Sequence, residues 1–287
     1  MTSGLCFDGK DKDMPKETGF FEKHVIDPED SPIIYHHWEE NGLNKKGFRA
    51  HWHPNLELLY FVEGAADISV NMEKYRVEKG ELFLINSNCI HMFTNAAERT
   101  IYHCIIIDSH FCSFYHLNYV NQRFHSKVTD AGTIGIYRLL VEEFLGPKDG
   151  WQEENLKSLS LILMRNLYRH NLISGNEEVI RKETQATAVV KRVLEYINEH
   201  YAEELSLEEI GRQVNVSKYY LCRLFKNVVN QTMNSYIMEY RCSQARLLLQ
   251  KSDLPVKEVA YRCGFVDPSY FSKCYYRICG KLPSAER

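Results

Sequence analysis

Two stretches, LSLEEIGRQVNVSKYYLCRLFKNVVN (residues 205–230) and LPVKEVAYRCGFVDPSYFSKCYYRICG (residues 254–280), are copies of one pattern. Aligned 49 apart, Leu207 meets Val256, Glu209 meets Glu258, Ile210 meets Val259, Gly211 meets Ala260 and Val216 meets Phe265. One inserted residue then makes the offset 50, and Ser217 meets Asp267, Tyr220 meets Tyr270, Leu221 meets Phe271, Arg223 meets Lys273 and Phe225 meets Tyr275. Each copy has the spacing of a helix-turn-helix, at about 206–227 and 255–278. Ser206 with Glu209 reads as a capping box opening the first short helix. Gly211 and Ala260 are small where two crossing helices must approach. Asn215 and Gly264 suit a turn with positive φ. Ser217, and Asp267 followed by Pro268, are N-cap signals for the second helix of each copy. On those helices Leu221, Leu224 and Phe225, or Phe271 and Tyr275, face inward. Lys218, Tyr219, Cys222, Arg223 and Lys226 are left on the other side, with Pro268, Ser269, Ser272, Lys273 and Tyr276 as counterparts.

Between the copies, NSYIMEYRCSQARLLLQKS is helical in period and ends at Pro255. Some 16 residues of helix make a rod of roughly 24 Å, against about 34 Å between successive major-groove faces of B-DNA. One chain could therefore address two adjacent turns of a duplex bent slightly toward it. A helical-hairpin repeat used for protein contacts is the alternative. Charge leans toward DNA: residues 186–287 hold 15 Lys+Arg and 11 Asp+Glu, or +4, while the rest holds 20 and 27, or −7. A basic C-terminal part beside an acidic N-terminal part points to a polyanion partner for one half only.

The C-terminal region, residues 187–287, resembles the AraC-type transcriptional regulators. The motif S-x-x-Y-L-x-R-x-F-K stands as Ser217, Tyr220, Leu221, Arg223, Phe225 and Lys226, and R-x-x-x-A-x-x-L-L as Arg241, Ala245, Leu248 and Leu249. EVAYRCGF (258–265) and DPSYFSK (267–273) complete the match. The resemblance implies sequence-specific binding to double-stranded promoter or operator DNA, usually to activate transcription by contacting RNA polymerase. The DNA-binding residues it implies are Ser217, Lys218, Tyr219, Cys222, Arg223, Lys226, Asp267, Ser269, Ser272 and Lys273. Arg223 can pair bidentately with guanine, and Lys273 can reach guanine or phosphate. The family commonly ends G-x-T-P-x-x-Y-R, whereas this chain reads GKLPSAER, with Leu282 and Glu286 in place of Thr and Tyr, and Asn230 stands where glycine is usual.

Upstream, LELLYFVEG, ADISVN, EKYRVEKG, ELFLINSN and TIYHCIIID are short β-rich runs separated by Gly, Asn and charged turns. Such spacing predicts an antiparallel barrel or sandwich. The period then shifts: DAGTIGIYRLLVEEFLG and ENLKSLSLILMRNLYRHNL are amphipathic helices. Leu159, Ile162, Leu163 and Leu167 on the second helix either pack on the barrel or form a dimer interface. The expected fold is α+β in two domains: an N-terminal antiparallel β-barrel of the cupin or jelly-roll type with trailing helices, and an all-α C-terminal domain of two helix-turn-helix units. The expected boundaries are 1–128 for the barrel, 129–173 for a helical dimerisation segment, 174–186 for a polar linker without a clean period, and 187–287 for the DNA-binding domain.

The barrel region carries AHWHPNLELLYFVEG, residues 50–64. His51 and His53 share one face of a strand, and Glu57 returns past the Pro54–Asn55 turn. The pattern Gly47, His51, His53, Glu57, Gly64, then Gly80, His91 and Asn95 resembles that of cupin barrels. In metal-binding cupins the positions of His51, His53, Glu57 and His91 are the four ligands. Imidazole and carboxylate suit Fe, Mn, Ni, Cu or Zn. No cofactor is required by this reading, and a divalent metal in the barrel is one option. The other is an effector site in which those four residues hydrogen-bond a sugar or other small ligand, with Trp52, Tyr60, Trp38 or Phe93 stacking beside it. The other histidines (His24, His36, His37, His103, His110, His116, His125, His170 and His200) form no ligand-spaced set.

The leading expectation is a ligand-responsive, dimeric regulator of transcription, an activator, with carbohydrate-use genes as one class of target. A metal cupin enzyme fused to a DNA-binding tail and a constitutive regulator whose barrel only dimerises are the alternatives. No catalytic residues are expected. The polar N-terminus MTSGLCFDGKDKDMPKE lacks a secretory apolar core, and no apolar run reaches membrane-spanning length. A cytoplasmic protein without membrane partners is therefore expected. The nine scattered cysteines contain no C-x-x-C and read as reduced thiols.

Overall fold

The computed structural model describes residues 32–43, 46–173 and 177–286. Cys6 and His24 lie outside them, as do residues 174–176 of the expected linker.

The N-terminal strands are β1 (Ile33–Asn41), β2 (Lys46–His51), β3 (Leu56–Glu63), β4 (Ala65–Val70), β5 (Glu73–Glu78), β6 (Leu82–Ile85), β7 (His91–Asn95), β8 (Arg99–Ile107) and β9 (Lys127–Val128). They form two antiparallel sheets, ordered β1-β8-β3-β6-β9 and β2-β7-β4-β5. Helices α1 (Ser109–Phe114), α2 (Ala131–Leu145) and α3 (Gln152–His170) follow. Asp108 and Asp130 cap α1 and α2, accepting from the Phe111 and Thr133 amides.

The five-stranded sheet is buried on both faces, which is why β3 and β8 read as nearly continuous apolar runs. On one face Leu59, Phe61, Phe83, Ile85, Cys104 and Ile106 meet Ile68, Val70 and Phe93 of the second sheet. On the other, Ile33, Leu56, Leu58, Leu84, Ile105 and Ile107 pack with Phe111, Tyr137, Leu140, Leu163, Met164 and Leu167. Tyr137 anchors α2 by donating its hydroxyl to the His103 carbonyl at 2.8 Å. Of the apolar face expected on α3, Leu163 and Leu167 are wholly buried and Leu159 packs beside them. Only Ile162 of that face, 46% exposed, remains for any partner. Three of the four expected residues therefore pack within the fold, while Leu139 and Leu145 of α2 are exposed like Ile162.

The linker differs from expectation. Residues 177–186 are the first turns of a continuous helix, α4 (Glu177–His200), so the connection is helical for most of its length. Glu, Arg, Lys, Thr and Gln there lack an apolar stripe, but none of them breaks a helix.

The remaining helices are α5 (Leu207–Gln213), α6 (Lys218–Val229), α7 (Met233–Lys251), α8 (Val256–Arg262) and α9 (Pro268–Cys279), with a 3-10 turn at Pro283–Ala285. The capping expected from sequence is present: Ser206 accepts from the Glu209 amide, Ser217 from Tyr220 and Asp267 from Ser269. Asn215 (φ 57°) and Gly264 (φ 78°) are both left-handed. At Gly211 a Cβ would lie 2.8 Å from the Val216 carbonyl, which is the close approach its small size was expected to serve. Asn230, in place of the usual glycine, is left-handed too (φ 56°), a conformation asparagine tolerates.

The described residues form two compact units, 32–200 with 205–237, and 201–204 with 238–286. The first helix-turn-helix therefore groups with the sandwich through α4, which packs on α6, and the boundary expected at 187 falls inside one unit. In the second unit Cys242, Ala245, Leu249, Val259, Ala260, Phe265, Phe271 and Tyr275 form the core. The eight described cysteines are all free thiols, and no described helix is long and apolar enough to cross a membrane.

Candidate functional site

The grouping of three or more potential metal ligands among the described residues is the one the sequence points to: His51, His53, Glu57 and His91. Their donor atoms lie within 4.8 Å of one another. Three of the four are buried, at 1% (His53), 5% (Glu57) and 1% (His91) exposure, and His51 is half-buried. β3 supplies Glu57 from its inter-sheet face. β2 and β7 pair His51 with His91, bringing their rings to 4.1 Å. The turn before β7 clamps the His53–Asn55 segment: the Asn88 amide donates to the His53 carbonyl at 2.9 Å, and Ser87 Oγ to the Pro54 carbonyl at 2.5 Å.

Hydrogen bonds fix how the imidazoles are presented. His53 Nδ1 lies 3.0 Å from the Asn55 carbonyl, and His91 Nδ1 lies 2.9 Å from the Cys89 carbonyl. A carbonyl only accepts, so both Nδ1 atoms carry hydrogen, and in the neutral rings Nε2 presents a lone pair. Both Nε2 atoms point at one carboxylate oxygen, Glu57 Oε2, at 3.1 Å and 3.0 Å. His91 Nε2 makes no hydrogen bond there. The other oxygen, Oε1, accepts from the Cys104 thiol at 3.3 Å. Burial lowers the His53 pKa to about 4 and lowers that of His91. Burial alone would raise the Glu57 carboxyl, but the adjoining imidazoles outweigh it and hold the group well below the usual carboxylate range. His53 Nε2 and Glu57 Oε2 are hydrogen-bonded, and His91 Nε2 stands against the same oxygen, so three polar atoms crowd one point of the buried site. A cation satisfies all three at once.

The donor set fits a first-row divalent ion. Ligands ~2.1 Å from an ion and at right angles lie ~3 Å apart, close to the observed separations. Orienting each ligating histidine through a backbone carbonyl on its other nitrogen is the usual second layer of such centres.

The aromatic residues expected beside the site need correction. Tyr60 has the opposite parity to Glu57 on β3 and packs in the α2-side core, 6.0 Å from the Tyr137 ring. Trp52 alternates with His51 and His53; its ring carries Lys191 Nζ of α4 at 3.8 Å. Trp38 does lie on the inter-sheet side, its ring 6.0 Å from His36. Phe93 is wholly buried and stacks on Phe61 at 6.1 Å. The aromatic that packs on the cluster is Phe48, edge-on to His51 at 5.0 Å and to His91 at 5.7 Å. Even–odd counting puts Phe48 and His51 on opposite faces. A register shift between them brings both toward β7.

The helix-turn-helix residues divide by exposure. Tyr219 is 86% exposed, and Arg223, Lys226, Ser269 and Lys273 are exposed. Lys218 is half-buried and pairs with Glu208 at 2.5 Å. Cys222 is half-buried. Ser217 and Asp267 are engaged as caps, and Ser272 Oγ donates back to the Pro268 carbonyl at 3.0 Å. A further contact joins the sandwich to the second helix of the first helix-turn-helix: Lys74 Nζ lies 3.0 Å from Asn230 Oδ1 at the end of α6.

Comparison with known proteins matches residues 38–110 to the AraC-like ligand binding domain and residues 210–287 to a helix-turn-helix domain. The chain is 26% identical over 253 residues to the uncharacterized HTH-type transcriptional regulator YdeC of Bacillus subtilis, covering 81% of this chain and 84% of that one. It is 23% identical over 249 residues to the HTH-type transcriptional activator RhaR of Salmonella dublin (84% and 87%). It is 22% identical over 258 residues to the melibiose operon regulatory protein of Escherichia coli (83% and 83%). With an AraC-like ligand-binding half and a helix-turn-helix half both matched in order, the chain belongs to the AraC-type transcriptional regulators.

Proposed function

We propose that this regulator senses its effector at the His51, His53, Glu57 and His91 cluster, and that the cluster takes a divalent first-row metal ion. The observation that carries the reading is the convergence of His53 Nε2 and His91 Nε2 on Glu57 Oε2, with both Nδ1 hydrogens already committed to carbonyls. The deep burial of three of the four ligands favours a small occupant. Trp52, between two of the ligands, holds Lys191 of α4, and α4 packs on α6. An occupant that shifts His51 and His53 therefore acts on the helix that supports the first reading unit. The protein works in the cytoplasm as a homodimer on promoter DNA, activating transcription through RNA polymerase. Its surplus of basic groups lies in the C-terminal region, and nothing in the cluster calls for a substrate reaction.

Metal analysis of full-length protein purified without chelator tests the metal. About one equivalent per chain is expected, and below about a tenth of an equivalent the reading fails. Salt-dependent binding to the promoter region beside its own gene, measured by mobility shift, tests the regulator.

A second reading takes a small carbohydrate as effector, supported by a relative that is named for the melibiose operon. Thermal shift against a sugar panel separates the two: a saturating sugar would stabilise by a few kcal/mol, with no metal dependence.

A further inference from the structure

Val266 is 93% exposed, more than any other large apolar side chain among the described residues. It stands immediately before Asp267, the cap of α9. An apolar residue at that place ordinarily folds back on the fourth residue of the helix. Here that residue is Phe271, which is wholly buried, and the ring facing it at 4.9 Å belongs to Phe265. Left-handed Gly264 sends Phe265 into the core and leaves Val266 outside. Val266 is also the residue inserted relative to the first copy, where half-buried Val216 leads directly into Ser217.

The groups around it narrow its role. Asp267 is committed to the Ser269 amide, and Ser272 is turned back on Pro268. The N-terminal end of α9 therefore presents Val266, Ser269 and the 52% exposed ring of Tyr270, with Lys273 exposed one turn on, and Val266 is the aliphatic group among them. The N-terminal residues of a reading helix meet base edges, and the apolar feature of the major-groove edge is the thymine 5-methyl.

We propose that Val266 is a specificity-determining residue that reads a thymine 5-methyl in the half-site of the second helix-turn-helix, a reading that rests on α9 entering the major groove. An isopropyl group against that methyl favours thymine over cytosine without a hydrogen bond. It would account for a β-branched residue kept in solvent beside a helix end.

The test uses the full chain and a duplex selected by it from a random-sequence library. Each thymine is replaced in turn by uracil, which removes the methyl and leaves the base-pairing edge intact, and affinity is read by fluorescence anisotropy. Wild type should lose about four-fold at one thymine of the second half-site, the factor for one buried methyl. Val266→Ser should bind the thymine and uracil duplexes equally, while Val266→Ile should keep the discrimination. A wild type indifferent to every uracil, or a Val266→Ser variant that still discriminates, overturns the proposal. Lys273→Ala separates the underlying reading. If it leaves affinity unchanged, α9 is off the DNA and both ideas fall. If it weakens binding while Val266→Ser still discriminates, only the role of Val266 falls.

Discussion

Glu286 occupies the place where related chains commonly carry tyrosine, and its surroundings explain how a carboxylate replaces a ring. Its side chain is 1% exposed and accepts from Lys281 Nζ at 2.7 Å and Arg246 Nε at 2.8 Å. Tyr275 Oη, 2.7 Å away, donates as well. Burial alone would raise the carboxyl pKa, but these donors outweigh it and bring it down to about 2. Replacing the carboxylate with an amide leaves two cations and a buried hydroxyl poorly matched. Glu286→Gln should therefore cost about 2–3 kcal/mol, the scale of a hydrogen bond to a charged group. The pH dependence follows from the lowered value. The unfolded carboxyl takes up a proton near pH 4.5, whereas the folded one resists to about pH 2, so this stability is complete above pH 5 and lost as pH falls between those values. Denaturant titrations of wild type and variant should stay a constant distance apart from pH 7 to 5 and converge below pH 4. A gap that persists unchanged at pH 3 would show that the contribution is packing rather than charge.

At the scale of elements, residues 201–204 are held against α7 and the turn after α8, within one compact unit, by a single knot. Arg241, 8% exposed, donates from Nε to the Tyr201 carbonyl and from Nη2 to the Glu203 carbonyl, both at 2.7 Å. A Cβ on Gly264 would fall 2.7 Å from the same Tyr201 carbonyl and 3.0 Å from Arg241 Cζ, at a φ that L side chains rarely adopt. Gly264→Ala and Arg241→Met should each destabilise the second unit by at least ~2 kcal/mol. The double variant should cost less than their sum, because both release the same carbonyl. Strict additivity in hydrogen-exchange protection of α7 and α9 would argue against a shared knot. Gly264 also shows what a sequence makes legible. Its position after a helical run and before an N-cap signal demands a left-handed turn, and the internal repeat supplied a second instance at Asn215. The four polar cluster residues were legible for a similar reason, because His51, His53, Glu57 and His91 keep a fixed spacing. Phe48 was not, since a register shift on β2 breaks the even–odd rule. Tyr60 was misplaced because β3 is buried on both faces, so burial alone does not tell which side holds the site. Residues 177–186 escaped as helix because their helical propensity comes without an apolar stripe.

For the molecule as a sensor, the arrangement makes one demand: an occupant of the cluster can alter DNA binding only by its difference in affinity for two arrangements of the sandwich and α4. The Trp52–Lys191 contact is where that difference can be felt outside the sheets. Lys191 is desolvated by its surroundings, which lowers its pKa to about 8, so its hold on the Trp52 face is worth more than a surface cation–π contact of ~0.5–1 kcal/mol. Binding at the cluster and transmission from it then rest on different residues and can be separated. His53→Ala and Glu57→Gln should abolish stabilisation by added metal, which for the wild type should reach ~2.7 kcal/mol at a hundredfold excess over Kd. Trp52→Ala should keep that stabilisation, because its ring supplies no ligand, yet lose the change in operator affinity that metal is expected to produce in the wild type. Lys191→Met should behave like Trp52→Ala. The comparison needs two measurements on each protein, a thermal melt and an operator titration, each with and without metal. If Trp52→Ala responds to metal on DNA as fully as the wild type, the signal leaves the sandwich elsewhere, and the Lys74–Asn230 contact at the end of α6 becomes the place to cut next.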